Sequence, residues 1–551
     1  MTLNYRSPIF ELGESHISDG AKLNPINATQ LGIPGFDDKL DDYSLAGWAK
    51  KRQHVIESLD KLRAMTPIDD VDRVAKAVMQ ERLESDLALF NADEHQITCA
   101  VISSPVVKIR QVFELMPFET SEEISTIIKR LIAVEGALKS WLSTLDDLSK
   151  RGKVAASRQI EGIADQLDKF SQGAFSGLAE QIDAEGKYPE LHAAGKAADE
   201  SAATSSEWLR REYTSRATKI DAVGEERFSL WASHYTGAKL DLRATYEWGR
   251  ADLAQINQRM WRVARKILPE AETLREVADF LEADPKYKIF GTDTLLEKLK
   301  SFTADTTAKM DGIHFYIDES IKFCDVKLAP KGSAAAPYYI SPSEDLSRPG
   351  TTWFPTQGKT EFSWWRLPSM WYHEAVPGHH LQTAIAIIEQ ENLTRFQRTD
   401  AWTSGYGEGW ALYAERLMDE LGSYEDPATE LGYLAAQAWR AARVVLDIGL
   451  HLGYENYEGE IWDAESAVAL MMSHVLLDEG FARSEVDRYL GIPGQAISYK
   501  VGERVWMRSR EDAKSRLGAE FSLKKFHSFA LKLGPMGLDP FETELAHWDG
   551  N

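Results

Sequence analysis

Cysteine is nearly absent from this chain of 551 residues: Cys99 and Cys324 are the full complement, and neither belongs to a C-x-x-C pair or lies close to a histidine cluster. That excludes a disulfide framework and a cysteine zinc site, and it fits a reducing compartment. Basic charge is also scarce. With 63 Lys and Arg against 86 Asp and Glu the formal net charge is −23, which argues against nucleic acid as a partner, because phosphate-backbone affinity rests on clustered Lys and Arg. The surplus acid reads first as solubility and only weakly as attraction of basic substrates. No apolar run of about 18 residues occurs, so no membrane partner is expected. The start, MTLNYRSPIFELGESH, has no basic stretch followed by an apolar one. The expectation is a cytoplasmic protein, unless a leader was trimmed from the sequence. No repeat of fixed period is visible.

The remainder is ordinary for a globular protein: 43% hydrophobic and 27% charged residues, with 16 Trp and 19 Tyr available for aromatic packing. The length suits two or three domains, or one large helical body. Residues 1 to about 40 carry Gly, Pro and Asn punctuation and read as a loop-rich lead-in. From Asp41 to Phe90 the spacing of Leu59, Leu62 and Met65, then Val71, Val74, Val78 and Met79, predicts two amphipathic helices broken near Pro67. The β-branched stretch Ile97 to Val107 suggests a short strand ending near Pro105. Long helices are expected from Ser121 to Lys239, starting at Ser121 to Glu123 and interrupted at Gly186 to Pro189, and onward to Leu299, with a new capped start near Ser301 or Thr303. His192 and His234 read as ordinary helix-surface residues, and His474, among Met and Leu in ALMMSHVLL, as a core residue. Composition then shifts to Gly, Pro and Ser over LAPKGSAAAPYYISPSEDLSRPGTTWFP, where Tyr338 to Ile340 suits a short strand.

Chemistry concentrates in Trp371 to Gln382, WYHEAVPGHHLQ. His373 followed at once by Glu374, with more imidazoles beyond, offers neutral nitrogens for a divalent metal and a carboxylate able to activate its water. The usual zinc signature places its two His residues one turn apart, whereas His379 and His380 lie six and seven residues after His373. On a straight helix that is a displacement of roughly 9 to 10 Å, too far for nitrogens that must both reach one zinc. Pro377 would collide with the carbonyl four residues back, that of His373, so the helix must bend or bulge. That irregularity favours His379 as the second ligand, with His380 close behind. The third candidate is Glu408 in SGYGEGWALYAERL, and Glu415, a heptad further along the same face, is a fallback ligand or a partner to one. GYGEG is not a phosphate loop, since no strand precedes it and no Lys-Ser or Lys-Thr follows; its glycines suit close backbone approach at a metal. In LGYLAAQAWRAARVVLDIGLH the polar residues Arg443, Asp447 and His451 form one stripe. It is either an Arg443 to Asp447 pair with His451 capping the helix, or a stripe that places His451 or Arg443 at the site.

HEAVPGHHLQ, GYGEGWALYAE, RAARVVLDIGLH and PGQAISYKVG, taken in this order, resemble the bacterial domain-of-unknown-function family 885 of the zincin-like metallopeptidase clan. The likeness covers most of the chain. It implies a mainly α, two-lobed, zincin-like helical peptidase body with a deep cleft and a few short strands, distantly similar to thimet oligopeptidase, angiotensin-converting enzyme and carboxypeptidase Taq. The division falls near residue 327, with an N-terminal helical lobe over 1–326 and a zinc-bearing lobe over 327–551, the two free to interleave. The resemblance also implies an edge strand near Tyr338 to Ile340, beside the metal, on which a peptide backbone can lie. In that class a Tyr hydroxyl stabilises the oxyanion, and Tyr499, delivered by a turn to the start of a helix, is the candidate. The expected activity is zinc-dependent cleavage of short peptides: His373, His379 and Glu408 hold Zn2+, Glu374 is general base, and Tyr499 with His451 supports the developing charge. A zinc hydrolase of a non-peptide amide or ester, and a silent scaffold that binds peptides, remain the alternatives.

Overall fold

Residues 6–330 and 336–550 are described by the computed structural model, and the fold is mainly helical with five short strands among them. The chain forms two compact units: Met1–Ile68, Leu83–Val223 and Leu490–Ile492 make the first, and Asp69–Arg82, Gly224–Tyr489 and Pro493–Asn551 the second. The Gly- and Pro-rich stretch after residue 327 lies inside the second unit, because the strands it contains pair with one another.

The first unit is built around three helices, α1 (Ser121–Ser149), α2 (Ser157–Ser171) and α3 (Pro189–Trp208). A reciprocal cap starts α1: the Thr120 hydroxyl accepts from the Glu123 amide at 3.3 Å, and the Glu123 carboxylate accepts from the Thr120 amide at 2.8 Å. Below the cap, Ile127, Leu131, Val134, Leu138, Trp141 and Leu145 recur at three and four residues and fill the core with Ile160 and Ile163 of α2 and Leu191 of α3. The helix pair expected from Asp41 to Phe90 is present as Leu45–Ala64 and Asp70–Asn91, with Pro67 between them. Two expectations fail here. The lead-in is helical, at Pro8–Gly20 and Pro25–Gln30, because the Ser7 hydroxyl caps the first helix and each begins with a proline, which needs no hydrogen bond at that position. Ile97 to Val107 contains no strand: the stretch joins helices Glu94–Ile97 and Pro105–Gln111, whose Val106, Val107 and Ile109 are buried in the helical core.

The second unit holds, in order, α4 (Leu242–Ile267), β1 (Lys288–Phe290), α5 (Thr292–Met310), β2 (Asp325–Leu328), β3 (Tyr338–Ile340), β4 (Thr351–Phe354), β5 (Glu361–Ser363), α6 (Leu367–Glu374), α7 (His379–Ile388), α8 (Ser404–Glu420), α9 (Pro427–Leu452), α10 (Glu479–Gly491, to Tyr489 in this unit) and α11 (Ser498–Leu517). β2 pairs parallel with β4, β3 pairs antiparallel on its other side, and β1 and β5 form a separate antiparallel pair. The new helix expected near Ser301 or Thr303 is instead the middle of α5. The Thr303, Thr306 and Thr307 hydroxyls each bond the carbonyl four residues back, and Thr303 also accepts the Trp371 indole N–H at 2.8 Å. Ile289, Leu295, Leu299, Val326, Phe354 and Phe362 pack beneath Leu367, Trp371 and Ala375, so the small strands and α5 form the bed of α6. His474, expected in the core, is exposed at the end of helix Ala464–His474. Among the described residues no helix is long and apolar enough to cross a membrane. Cys99 and Cys324 are both buried thiols.

The axes of α8 and α11 cross with their backbones in contact. A Cβ at Gly502 would overlap the Gly405 carbonyl oxygen, and one at Gly409 would collide with Gly502 Cα. Since Glu408 adjoins one of these glycines and Tyr499 lies a turn from another, the crossing fixes where both side chains point. Gly502→Ala is expected to destabilise the chain by about 1–3 kcal/mol through overpacking, read as a lower urea midpoint; an unchanged midpoint would show that the helices can separate without cost.

Candidate metal centre

Pro377 ends α6 by removing an amide and crowding the His373 carbonyl. The result is a break rather than a bulge: four residues, Ala375 to Gly378, cross from α6 to α7, with a cis Val376–Pro377 peptide. Gly378 donates to the Tyr372 carbonyl at 3.0 Å and His380 to the Ala375 carbonyl at 3.1 Å. Any Cβ at Gly378 would overlap the His373 carbonyl oxygen, so glycine is the residue that fits. From α8, the Trp410 indole N–H donates to the carbonyls of Pro377 and Gly378, both at 3.0 Å, and clamps the link. The turn brings the His373 and His379 rings to a centroid distance of 4.9 Å, nearly perpendicular.

Glu408 of α8 faces both imidazoles. Its Oε2 lies 3.1 Å from His373 Nε2 and 3.4 Å from His379 Nε2, and the potential ligand atoms of the three residues all lie within 4.8 Å of one another. Donors at about 2.0–2.1 Å around a tetrahedral zinc are separated by about 3.3 Å, so this donor set and its spacing fit a zinc ion. A second feature points the same way. Among the described residues His379 Nδ1 is buried without a hydrogen-bond partner, so Glu408 is the group that orients this imidazole, with Nε2 turned to the centre.

Glu415, one heptad beyond Glu408, is wholly buried, and its Oε1 accepts from His373 Nδ1 at 2.8 Å while its other oxygen accepts from the Ser369 hydroxyl. Of its two expected roles it has the partner's: it holds His373 with Nε2 turned to the centre. Burial disfavours the His373 imidazolium, yet the hydrogen bonds to Glu408 and Glu415 outweigh it and push the pKa up to about 10. Glu408 is held well below the usual carboxylate range, burial being overcome by its bonds to the two histidines. The protein alone thus stores a proton where a cation fits.

Glu374 is shifted the other way. Removal from water raises its pKa, with the charges of His373 and His379 opposing and that of Glu408 adding. Its carboxylate has no hydrogen bond or ion pair among the described residues, so it is available to water or substrate. Tyr499, on the first turn of α11, lies near-parallel to the His373 ring at 6.4 Å, and its hydroxyl is unpaired among the described residues. The Arg443 guanidinium lies between the Tyr499 ring at 4.6 Å and the Trp439 ring at 4.4 Å.

Three expectations are corrected. His380 is not placed as a ligand, since Nε2 donates to the Ile321 carbonyl at 2.7 Å and Nδ1 accepts from the Tyr339 hydroxyl at 2.9 Å, and burial lowers its pKa to about 4. His451 does not join the group: it is buried, its Nε2 donates to the Tyr489 carbonyl at 3.0 Å, and its ring packs against Phe228. Arg443 and Asp447 do not pair, since Arg443 bonds Glu485 at 2.7 Å and Asp447 accepts from the Gly494 amide at 3.1 Å. Two residues at the centre were not foreseen. Ser369 offered no signal, but Arg440, three residues before Arg443 in the mostly apolar α9, did; its Nη2 lies 4.0 Å from Glu415 Oε1.

The sequence profile of the family described as "Bacterial protein of unknown function (DUF885)" matches residues 25–545. The chain belongs to that family. Two solved structures share the fold of this DUF885 chain: a protein of Colwellia psychrerythraea provisionally named a lipoprotein, 23% identical with a TM-score of 0.85 over 98% of each chain, and another so named, of unknown function, from Shewanella oneidensis, 18% identical with a TM-score of 0.77 over 98% of this chain and 100% of its own. No curated protein matches it significantly.

Glu415→Gln is expected to weaken zinc binding about 10- to 100-fold, whereas His380→Gln should leave it within a few-fold of the parent; equal losses would contradict the division of roles. Because a cation must displace the His373 proton, zinc affinity should rise with pH below about 10, with proton release visible in buffers of different ionisation enthalpy. A pH-independent affinity would contradict it.

Proposed function

We propose that this protein is a zinc-dependent, zincin-like hydrolase that cleaves short peptides. The observation that carries the reading is the convergence of His373, His379 and Glu408, with a Glu408 oxygen 3.1 and 3.4 Å from the two imidazoles and the uncommitted Glu374 carboxylate adjoining it. A zinc ion held by these three residues would supply Lewis acidity and a lowered pKa for water.

The remaining work falls to the protein's own groups. Glu374 takes the proton of the attacking water at its carboxylate and passes it to the leaving amine. Its raised pKa suits both halves of that exchange, because a carboxylate returned to strong acidity by full hydration would hold the proton too weakly to deliver it. Tyr499 donates its hydroxyl to the carbonyl oxygen as charge develops there. The Arg443 guanidinium on its ring restrains that side chain and favours negative charge on its partner. Glu415 and Ser369 keep His373 in one tautomer. β3 is an edge of the order β2-β4-β3, and the Tyr339 hydroxyl joins it to His380, the residue after His379. That edge offers backbone groups against which an extended substrate could lie.

The deciding experiment assays zinc-loaded protein on a library of short fluorogenic peptides. Glu374→Gln should retain zinc and lose about 10²- to 10⁴-fold in kcat/KM, and Tyr499→Phe about 10²- to 10³-fold in kcat with little change in KM. Full activity in Glu374→Gln, or activity indifferent to chelator, would refute the reading; peptide binding without turnover would leave a binding scaffold.

A further inference from the structure

The cations around the proposed centre differ in how far their donors are used. Arg443 is committed to Glu485 and the Tyr489 hydroxyl, and Lys500 to Gln437, Glu503 and Asp252. Arg416 faces Glu503, Arg510 forks onto Glu420, and Arg488 bonds Glu485 and Gln495. Arg440 is different. Its side chain is only 8% exposed, yet among the described residues Nη1 bonds only the Ala436 carbonyl of its own helix, at 3.3 Å, and Nε is buried without a partner. Nη2 makes no hydrogen bond among the described residues; it forms a long ion pair with Glu415 Oε1 at 4.0 Å, beyond bonding distance. One face of the guanidinium lies over the Trp439 ring at 4.6 Å, which leaves its edge as the binding surface.

A guanidinium carries five donors in a planar fork, and leaving several of them unmade in a buried setting is costly unless another group completes them. The surroundings indicate what completes them. Glu415 is already bonded to His373 and Ser369, and Arg440 Nη2 lies 4.0 Å from the same Glu415 oxygen that accepts from His373 Nδ1, which places the fork beside the His373 imidazole. A planar carboxylate meets such a fork with two parallel hydrogen bonds.

We propose that Arg440 is the carboxylate-binding residue of this site and that its substrates are short peptides bearing a carboxylate next to the bond cleaved. The proposal rests on reading the His373, His379 and Glu408 group as the reaction centre. Arg440 would hold the carboxylate through Nε and Nη2, while the Trp439 ring keeps the guanidinium plane in place. The carboxylate is the free C-terminus of the peptide or an acidic side chain, and both present the same fork of oxygens.

The test is equilibrium binding, measured by calorimetry on full-length zinc-loaded Glu374→Gln protein, in which ligands persist whether or not the parent turns them over. The probes are a dipeptide library with free C-termini, the same library as C-terminal carboxamides, and the carboxamides carrying Asp or Glu. The free acids are expected to bind about 10- to 100-fold tighter than their amides, the range for hydrogen bonds to a charged group. If the acidic carboxamides alone bind tightly, the carboxylate is a side chain, and the assignment of Arg440 still stands. Adding Arg440→Gln should reduce the preference to less than about twofold, and Arg440→Lys, which keeps the charge but loses the fork, should restore part of it. Zinc content of each variant separates loss of the centre from loss of the subsite. Equal binding of the free acids, the plain carboxamides and the acidic carboxamides, or a preference that survives Arg440→Gln with zinc in place, would overturn the proposal. Failure of the hydrolase reading would appear separately, as absence of turnover in the parent.

Discussion

The hydrogen bonds that hold His373 between two carboxylates on one helix organise this part of the molecule. Glu408 and Glu415 project from the same face of α8 and meet the two nitrogens of one imidazole. An imidazole gripped at both ends cannot turn, and so the polarity of the whole group is fixed by a single helix. Burial of two carboxylates is tolerable only with a compensating cation. In the protein alone that cation is the imidazolium itself, with Arg440 further off. Two carboxylates thus face one imidazolium and a guanidinium, and the neighbouring structure keeps α8, α6 and α7 at the separations that this pairing needs.

Those separations are set by small residues and indoles rather than by charge. Gly378 lets the chain fold back over the His373 carbonyl, Trp410 clamps the link, and the glycine contact between α8 and α11 brings the Tyr499 ring near-parallel to the imidazole at 6.4 Å. The bed under α6 comes from strands of three or four residues that could not persist alone. They survive because α5 and α6 cover them with Leu295, Leu299 and Trp371.

Much of this could be read from the sequence. Helical periodicity found most long helices, and the Pro-Gly pair inside the histidine stretch showed that His379 rather than an i+4 residue had to be considered. Glu408 and Glu415 were legible as a heptad pair, though only the fold shows which faces the metal position and which the imidazole's rear. What could not be read depended on contacts distant in the chain. His380 is removed from contention by a carbonyl at residue 321 and a hydroxyl at residue 339, and His451 by the backbone of Tyr489. The Thr residues of α5 misled because a hydroxyl that can cap a helix can also bond back within one. Ile97 to Val107 misled because β-branched residues pack a helical core as readily as a sheet.

The glycine crossing also bears on how the chain is made. Its two halves lie on α8 and α11, so residues 410 to 501 must still be synthesised after Gly409 before the contact can close. At ordinary translation rates that interval is on the order of ten seconds. Throughout it, the narrow glycine face of α8 has no α11 to cover it, so closure of this contact, and with it the placing of Tyr499, waits on residues far along the chain rather than on the emergence of the histidines.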